Sequence, residues 1–488
     1  MEQAFLGVDV GGTGVKAGVF DSRGRALGFG HGVYSPSLNV DGRVEIPIGE
    51  IRAATRGAVR AAVRKSGAKI AAVAVASQGQ TFVTLDRNDN PLHPAVIWYD
   101  SRAISQAAAM AKAIEADSSA GRRADVSPIS TAPKILWFRE HCPELMAGAA
   151  RYLLLPDYFS YLLTGEAVTD PNTAGSTGLC DPGSGAYWPP ALKAAGVDVS
   201  QVARIVRTGE KAGLLTEKGA GEWGLEPGTA YVSGTNDQYA GALGAGNCRE
   251  GIFTETTGTC LAIVTLRAGL PSPMPRGILG GNYPISRFKF ALVYSKTAGV
   301  VLDWFRKEFF PGLDYPALCA AAAASPAGCR GVTLLPHFDG TVSPVPNRAA
   351  RGAFCNLTLA NTRGDMCRAV FESLSFSFRE NAELLEANGF AAGSIRSIGG
   401  GAKSDFWLQM KADVTGRPIE RPAVTEAAVL GAAMLAAAGC GAYQSIEDAS
   451  RSLYACGAVF KPDPALKPAY DDAFSRYLDF KSRIYREG

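Results

Sequence analysis

Apolar residues begin to pattern almost at the first position of the chain. Phe5 to Val10 is a short apolar run, Gly11-Gly12-Thr13-Gly14 supplies a turn, and Val15 to Phe20 reads as the returning strand of a hairpin. Asp21-Ser22-Arg23-Gly24 turns the chain again, into a third strand near 26–31. A helix is predicted over 47–66, where Ala and Arg surround spaced apolar positions. The near-continuous Ala and Val run at 69–77 predicts a buried strand ending in small polar residues. Strands and helices that alternate in this way predict an α/β core. Near the middle the plan recurs: a strand over 251–256, the turn Thr257-Gly258-Thr259, and a strand over 260–266. Two copies predict two halves of similar architecture, 1–245 and 246–488, each within the size range of one domain. Long helical patterns follow at 363–387, 405–415, 425–438 and 468–485, and the alanine run at 320–324 is a structurally bland helix.

Composition narrows the classes open to such a chain. Of 488 residues, 47% are hydrophobic and 19% charged, which excludes extended disorder. Forty-nine Lys plus Arg against forty-six Asp plus Glu leaves +3, so nothing calls for a nucleic-acid-binding surface. The most apolar segment, 424–439, is interrupted by Thr425, Glu426 and Gly431 and falls short of the ~18–20 apolar residues of a membrane span. The start, MEQAFLGVDV, lacks the basic region and cleavage site of a signal peptide. Ten cysteines form no C-x-x-C pair and four histidines are scattered, which predicts a reduced, cytoplasmic setting without a zinc site. Fifty-six glycines are the unusual count: either the chain turns often, or its backbone repeatedly approaches something closely.

The glycine turns carry the candidate chemistry. Gly12 to Ala17 fits G-x-G-x-x-A, but a dinucleotide fingerprint needs a helix next and a strand follows here. A cradle of successive backbone N–H groups fits better. Gly11 and Gly12 permit close approach, Thr13 offers a hydroxyl, Lys16 a charge, and Asp9 a carboxylate for hydrated Mg²⁺. Taken alone, this is equally a plain hairpin turn; the second turn at 257–259 shifts the weight to function. Asp237, after a strand and at the head of a small-residue helix, is either an N-cap or a carboxylate facing the strand ends.

At this point the chain resembles the FGGY carbohydrate kinases, of the hexokinase/actin-like ATPase superfamily, over essentially its whole length. Lys134-Ile135-Leu136-Trp137-Phe138-Arg139-Glu140-His141, with Thr131 and Ile129 upstream, looks like the first family signature. Gly352-Ala353-Phe354-Cys355-Asn356-Leu357, then Asp365-Met366 and 369–372, looks like the second, departing at Asn356 where glycine is usual. Gly399-Gly400-Gly401-Ala402-Lys403-Ser404-Asp405 resembles the adenosine-binding segment, and Trp98-Tyr99-Asp100-Ser101-Arg102 the family's W-x-D-x-R segment.

The resemblance implies two ribonuclease H-like domains with a catalytic cleft between them, the first for the sugar and the second for the nucleotide. It implies ATP and Mg²⁺, with Asp9 holding the ion through water, Asp237 beside it, and Gly12, Thr13 and Lys16 at the phosphates. Thr257 and Gly258 would hold the γ-phosphate, and Gly299, Asp303, Gly400, Gly401, Ala402 and Asp405 would surround the nucleotide. Asp237 would be the general base, with Gln78, Gln80, Trp98, Asp100, Arg102 and Gln238 lining the sugar site. Xylulokinases carry Gln-Met-His-Gly where Gln78-Gly79-Gln80-Thr81 stands, and glycerol kinases Gln-Arg-Glu-Thr, so the sugar is less sharply implied. The reading is an ATP-dependent kinase of a small ketose or polyol, xylulose or a related pentulose first, and ribulose, erythritol or glycerol as alternatives. A homodimer is the family expectation, and neither nucleic acid nor membrane is an expected partner. From other classes, a chaperone- or actin-like ATPase would use the same cradle, and a silent sugar-binding regulator would not need Asp9, Asp237 and Thr257 intact.

Overall fold

Ala4–Val10 pairs antiparallel with Gly14–Asp21, which pairs antiparallel with Ala26–Val33, so the first three strands form the meander the pattern predicted. Helix Ile48–Ser66 then carries the chain over the sheet and ends where Gly67 turns left-handed, at φ 59°. Strand Ile70–Ser77 returns parallel to Ala4–Val10, and Ala230–Val232 adds parallel to it, with Lys211–Leu214 antiparallel at the edge. A smaller five-stranded sheet, from Ser37–Leu38 to Arg151–Leu154, carries the segments that flank Gln78–Gln80 and Trp98.

The computed structural model describes residues 3–39, 42–117, 126–181 and 184–485. They form two compact units. The first comprises 1–246, 281–286 and 426–453, and the second 247–280, 287–425 and 454–488, each taken to its described residues.

The second unit repeats the sheet plan. Ile252–Thr257, Leu261–Arg267 and Lys289–Ser295 form an antiparallel meander. Ser394–Ile398 lies parallel to the first of these, Ile419–Pro422 parallel to that, and Cys456–Phe460 antiparallel at the edge. Helices Arg363–Ala387 and Asp405–Thr415 form over the predicted residues, the first opened by a Thr362/Asp365 capping box. The fold is therefore α/β, with these six strands in the same order in both sheets and Leu279–Asn282 added at the edge of the second.

The helix Ala427–Gly439 belongs to the first unit although it lies late in the chain. Ten of its thirteen residues are buried, and its small side chains let it seat directly on neighbouring backbone. A Cβ on Gly7 would fall 2.0 Å from the Val429 carbonyl oxygen, one on Gly244 1.9 Å from that of Ala427, and one on Gly431 1.9 Å from that of Ala240. These contacts lock the strand bearing Asp9 and the helix headed by Asp237 against one element. Among the described residues no helix is long and apolar enough to cross a membrane.

Candidate active site

Three parallel strands of the first unit end side by side. The Gln78 N–H donates to the Val10 carbonyl at 3.3 Å, and the Ser77 N–H to that of Thr235 at 3.4 Å. Carboxyl ends of parallel strands are where α/β sheets present ligand-binding groups. Here they bring together Asp9, Gln78 and Asp237.

The turn after Asp9 is held in one orientation. The Gly11 N–H donates to Gly14 at 2.9 Å, while the Gly11 carbonyl accepts from the Tyr34 hydroxyl and from the Gln78 amide at 3.2 Å. Because a trans peptide points C=O and N–H in opposite directions, this clamp turns the Gly12 N–H away from Tyr34 and Gln78. Thr13 stands exposed at the tip. Tyr34 carried no signal in the sequence, since only the fold brings it beside the turn.

Asp9 has one oxygen, Oδ1, that is buried without a hydrogen-bond partner. Burial pushes its carboxyl up to about 7, helped by the negative charges of Asp237 and Glu426 and opposed by Lys16. Lys16 itself is ion-paired to Glu426 at 2.6 Å, so its ammonium already has a carboxylate. Glu426, just ahead of the small-residue helix, was not among the sequence candidates.

Asp237 is not the N-cap of its helix. Asn236 takes that role by accepting from the Gln238 N–H at 3.0 Å. Burial lifts the Asp237 carboxyl to about 6, against the lowering pull of the Gln238 N–H. Two more acceptors near this strand end, Oε1 of Gln78 and of Gln238, are buried and unpartnered.

The segment from Gln78 to Gln80 is shaped by its neighbours. Gln80 adopts φ 62°, a left-handed conformation that side chains other than glycine avoid, and its carbonyl is fixed by the Thr131 hydroxyl at 3.0 Å. A Cβ on Gly79 would lie 2.8 Å from the Asn236 amide nitrogen and 2.9 Å from the Ser176 hydroxyl, so the segment lies close against both.

Two residues that the resemblance places at the sugar site find their partners within the protein. Asp100 is fully buried, and its oxygens accept from the Val44 N–H at 2.6 Å, the Arg102 N–H at 3.0 Å and the Arg102 guanidinium at 2.7 and 2.9 Å. Arg102, 3% exposed, also pairs with Glu45 at 2.6 Å and lies over the rings of Trp137 and Phe138. Both therefore support the Trp98 segment instead of facing a ligand. Lys134 does the same from below, donating to the carbonyls of Ile97, Trp98 and Ile129 at 3.1, 2.7 and 3.0 Å.

In the second unit the turn at 257–259 is enclosed by glycines of two other segments. A Cβ on Gly299 would lie 2.3 Å from the Gly258 carbonyl oxygen, one on Gly399 2.8 Å from that of Thr257, and one on Gly401 2.8 Å from the Thr257 Cβ. Gly258 has nothing near its Cβ position, and Gly400 only the Thr257 carbonyl oxygen at 3.8 Å. The sequence grouped these glycines together. The structure divides them into those that pack the cradle and those that leave it open.

The Thr257 side chain is turned inward as well. It ends its strand buried, and its hydroxyl is engaged by Glu255 and by the Lys411 ammonium at 2.9 Å, so it offers no hydroxyl to a phosphate. Thr259, exposed at the tip beside Gly258, is the hydroxyl the turn presents. Asp303, in helix Gly299–Phe309, is held below the usual carboxylate range by Lys307 and Arg306. Asp405 pairs with Arg421, whose guanidinium also donates to the Ala402 carbonyl at 3.3 Å.

Comparison with known proteins matches this architecture. The N-terminal domain model of the FGGY family of carbohydrate kinases matches residues 4–244, and its C-terminal domain model residues 281–440. A xylulose kinase of Staphylococcus epidermidis is 26% identical over 98% of this chain and 96% of its own length. An autoinducer-2 kinase of Klebsiella pneumoniae is 29% identical over 97% and 92%. The crystal structure of xylulose kinase from Rhodospirillum rubrum, 26% identical, superposes with a TM-score of 0.85 over 99% of each chain. The chain is thus an enzyme of the FGGY family of carbohydrate kinases.

Proposed function

We propose that this kinase transfers the γ-phosphate of ATP to a hydroxyl of a small ketose or polyol, xylulose or a related pentulose first among them, with Asp237 as general base. The observation that carries the reading is the state of Asp237: a carboxylate at the strand ends, released from capping by Asn236 and lifted by burial to about 6. A base works best when its pKa lies near the working pH, because it is then both deprotonated and basic enough to take the proton. Phosphoryl transfer asks for little covalent chemistry from the protein beyond this, and much positioning.

Asp9 fits a role towards Mg²⁺. Its Oδ1 is buried and unpartnered, and among the described residues no group of three or more His, Cys, Asp or Glu could hold a metal directly. One carboxylate with an open oxygen suits an ion that keeps most of its waters. Bound there, Mg²⁺ would offset the charge of the phosphates. Gly12 and Thr13 orient the donor through the turn that Tyr34 and Gln78 hold, and Gly258, Thr259 and Gly400 form the open side of the second cradle. Gln78, Gln80, Gln238 and Trp98 select the acceptor, since a neutral amide both donates to and accepts from a hydroxyl.

Xylulose is favoured by the full-length likeness to proteins named xylulose kinase. The autoinducer-2 kinase is as similar, and Gln80 replaces the histidine of the xylulokinase pattern, which supports a second reading with autoinducer-2 as acceptor. An ADP-release screen over pentuloses, hexuloses, tetritols, glycerol, gluconate and autoinducer-2 tests both. The highest kcat/KM on a pentulose is expected; a clear preference for glycerol overturns the substrate reading.

A further inference from the structure

Beneath the turn at 257–259 lies a charge pair that the kinase chemistry does not itself call for. Lys411, in helix Asp405–Thr415, and Glu255, in strand Ile252–Thr257, are both 0% exposed and meet at 2.9 Å. The same ammonium donates to the Thr257 hydroxyl at 2.9 Å, and that hydroxyl donates to Glu255. The second Glu255 oxygen accepts from Ser397, in the parallel strand Ser394–Ile398. Lys411 also lies 4.9 Å from the ring of Trp407, whose indole N–H is fixed by Ser375 at 3.1 Å.

Three elements thus meet in one buried cluster: the strand that enters the turn and the helix with Lys411 hold the Thr257 hydroxyl directly, and the strand that leads to Gly399–Ala402 joins through Ser397 on the second oxygen of Glu255. A buried ion pair seldom adds net stability, because desolvating both charges offsets their attraction, whereas removing one partner alone is costly. What such a pair supplies is fixed geometry. Here the geometry is that of Thr257, against whose Cβ Gly401 packs and whose carbonyl meets Gly399.

We propose that Lys411, Glu255 and Ser397 are positioning residues that act through the Thr257 hydroxyl to hold the phosphate turn Gly258–Thr259 in register with the Gly399–Ala402 segment. The inference rests on the reading of these two segments as the nucleotide cradle. It does not depend on which sugar is the acceptor.

The test uses MgATP titrated calorimetrically into the full chain, with the thermal midpoint measured without nucleotide. Thr257→Val keeps the side-chain shape and removes the hydroxyl; Thr257→Ser keeps the hydroxyl. Loss of one well-placed hydrogen bond should weaken MgATP binding about tenfold in Thr257→Val, and Thr257→Ser should stay within about twofold of wild type. Lys411→Met leaves a bare buried carboxylate and is expected to fold poorly. The neutral pair E255Q with K411M avoids this, and should fold and bind MgATP as weakly as Thr257→Val. A lowered midpoint with unchanged MgATP affinity in both Thr257→Val and the neutral pair overturns the proposal, because the cluster is then only structural. A wild-type chain that binds no MgATP overturns the cradle reading and this inference with it.

Discussion

The Lys134 ammonium donates to the Trp98 carbonyl at 2.7 Å, tying the first family signature to the aromatic residue that stands ahead of Asp100 and Arg102. Two further carbonyls, those of Ile97 and Ile129, complete the coordination, and burial pulls the ammonium down to about 7. Removing the ammonium would strand three carbonyls in a dry site. Lys134→Met is expected to lose about 2–3 kcal/mol of stability. It should also raise the KM of the best acceptor sugar about tenfold or more, with the KM for ATP unchanged. Steady-state kinetics on both substrates check it. Equal effects on both KM values would remove Trp98 from the sugar site.

Asp237→Asn keeps the shape of the side chain and removes the proposed base. General-base catalysis contributes roughly 10²–10⁴-fold, so kcat should fall by at least about a hundredfold while MgATP binding stays near wild type. A variant that retains a tenth of wild-type turnover would rule Asp237 out. Since Asp9 lies near 7 and Asp237 near 6, wild-type kcat/KM should fall as the pH drops from about 7 through about 6, where first the one carboxylate and then the other becomes protonated.

Tyr34→Phe tests the clamp on Gly11. The variant leaves the aromatic packing and removes only the hydroxyl that the Gly11 carbonyl accepts from. With the Gln78 amide still in place, the turn should loosen without collapsing. A rise of about three- to tenfold in the KM for ATP is expected, with little change in thermal midpoint. Unaltered kinetics would mean that Gln78 alone orients the turn.

How far the site could be read beforehand follows from which contacts are local. The meander around Gly11–Gly14 and the helix Arg363–Ala387 are set by short-range pattern and caps, and both form over the expected residues within an end or two. That the Thr257 hydroxyl turns inward could not be read, because a hydroxyl beside a glycine looks alike whether it faces a ligand or a buried Lys411 more than 150 residues later. For Asp100 and Arg102 the resemblance gave a place at the sugar site but not their partners, Glu45 and the Val44 N–H, which lie more than 50 residues away in sequence. Tyr34 and Glu426 stayed silent because neither sits in a recognisable pattern, and only tertiary packing brings them to the turn.

Gly431→Ala tests the seating of the late helix on the first unit. A methyl there would meet the Ala240 carbonyl oxygen at 1.9 Å, and backbone cannot yield as a side-chain end would. Overpacking of this kind costs about 1–3 kcal/mol, and the displaced element is the helix that Asp237 heads. The variant should lower both the thermal midpoint and kcat. A stable, fully active Gly431→Ala would show that the helix pair can part without disturbing Asp237.

Asp157 gives the clearest pH signature of the fold itself. It is 2% exposed, its Oδ2 accepts from the Leu154 N–H at 3.1 Å at the start of helix Leu155–Thr164, and burial lifts its carboxyl to about 8, with the Asp170 charge adding to the rise and the Thr169 hydroxyl opposing it. The folded protein thus holds this proton more tightly than the unfolded chain, whose carboxyl titrates near 3.8. The stability that the proton confers is fully present below about pH 4 and is lost as the pH rises through about 8. Asp157→Asn retains an oxygen acceptor for the Leu154 N–H and cannot ionise. It should match wild type near pH 4 and exceed it by about 2–4 kcal/mol at pH 9, read from urea unfolding at both values. A variant that is less stable than wild type at pH 9 would show that Asp157 is held ionised in the fold, with its charge met by the surrounding donors.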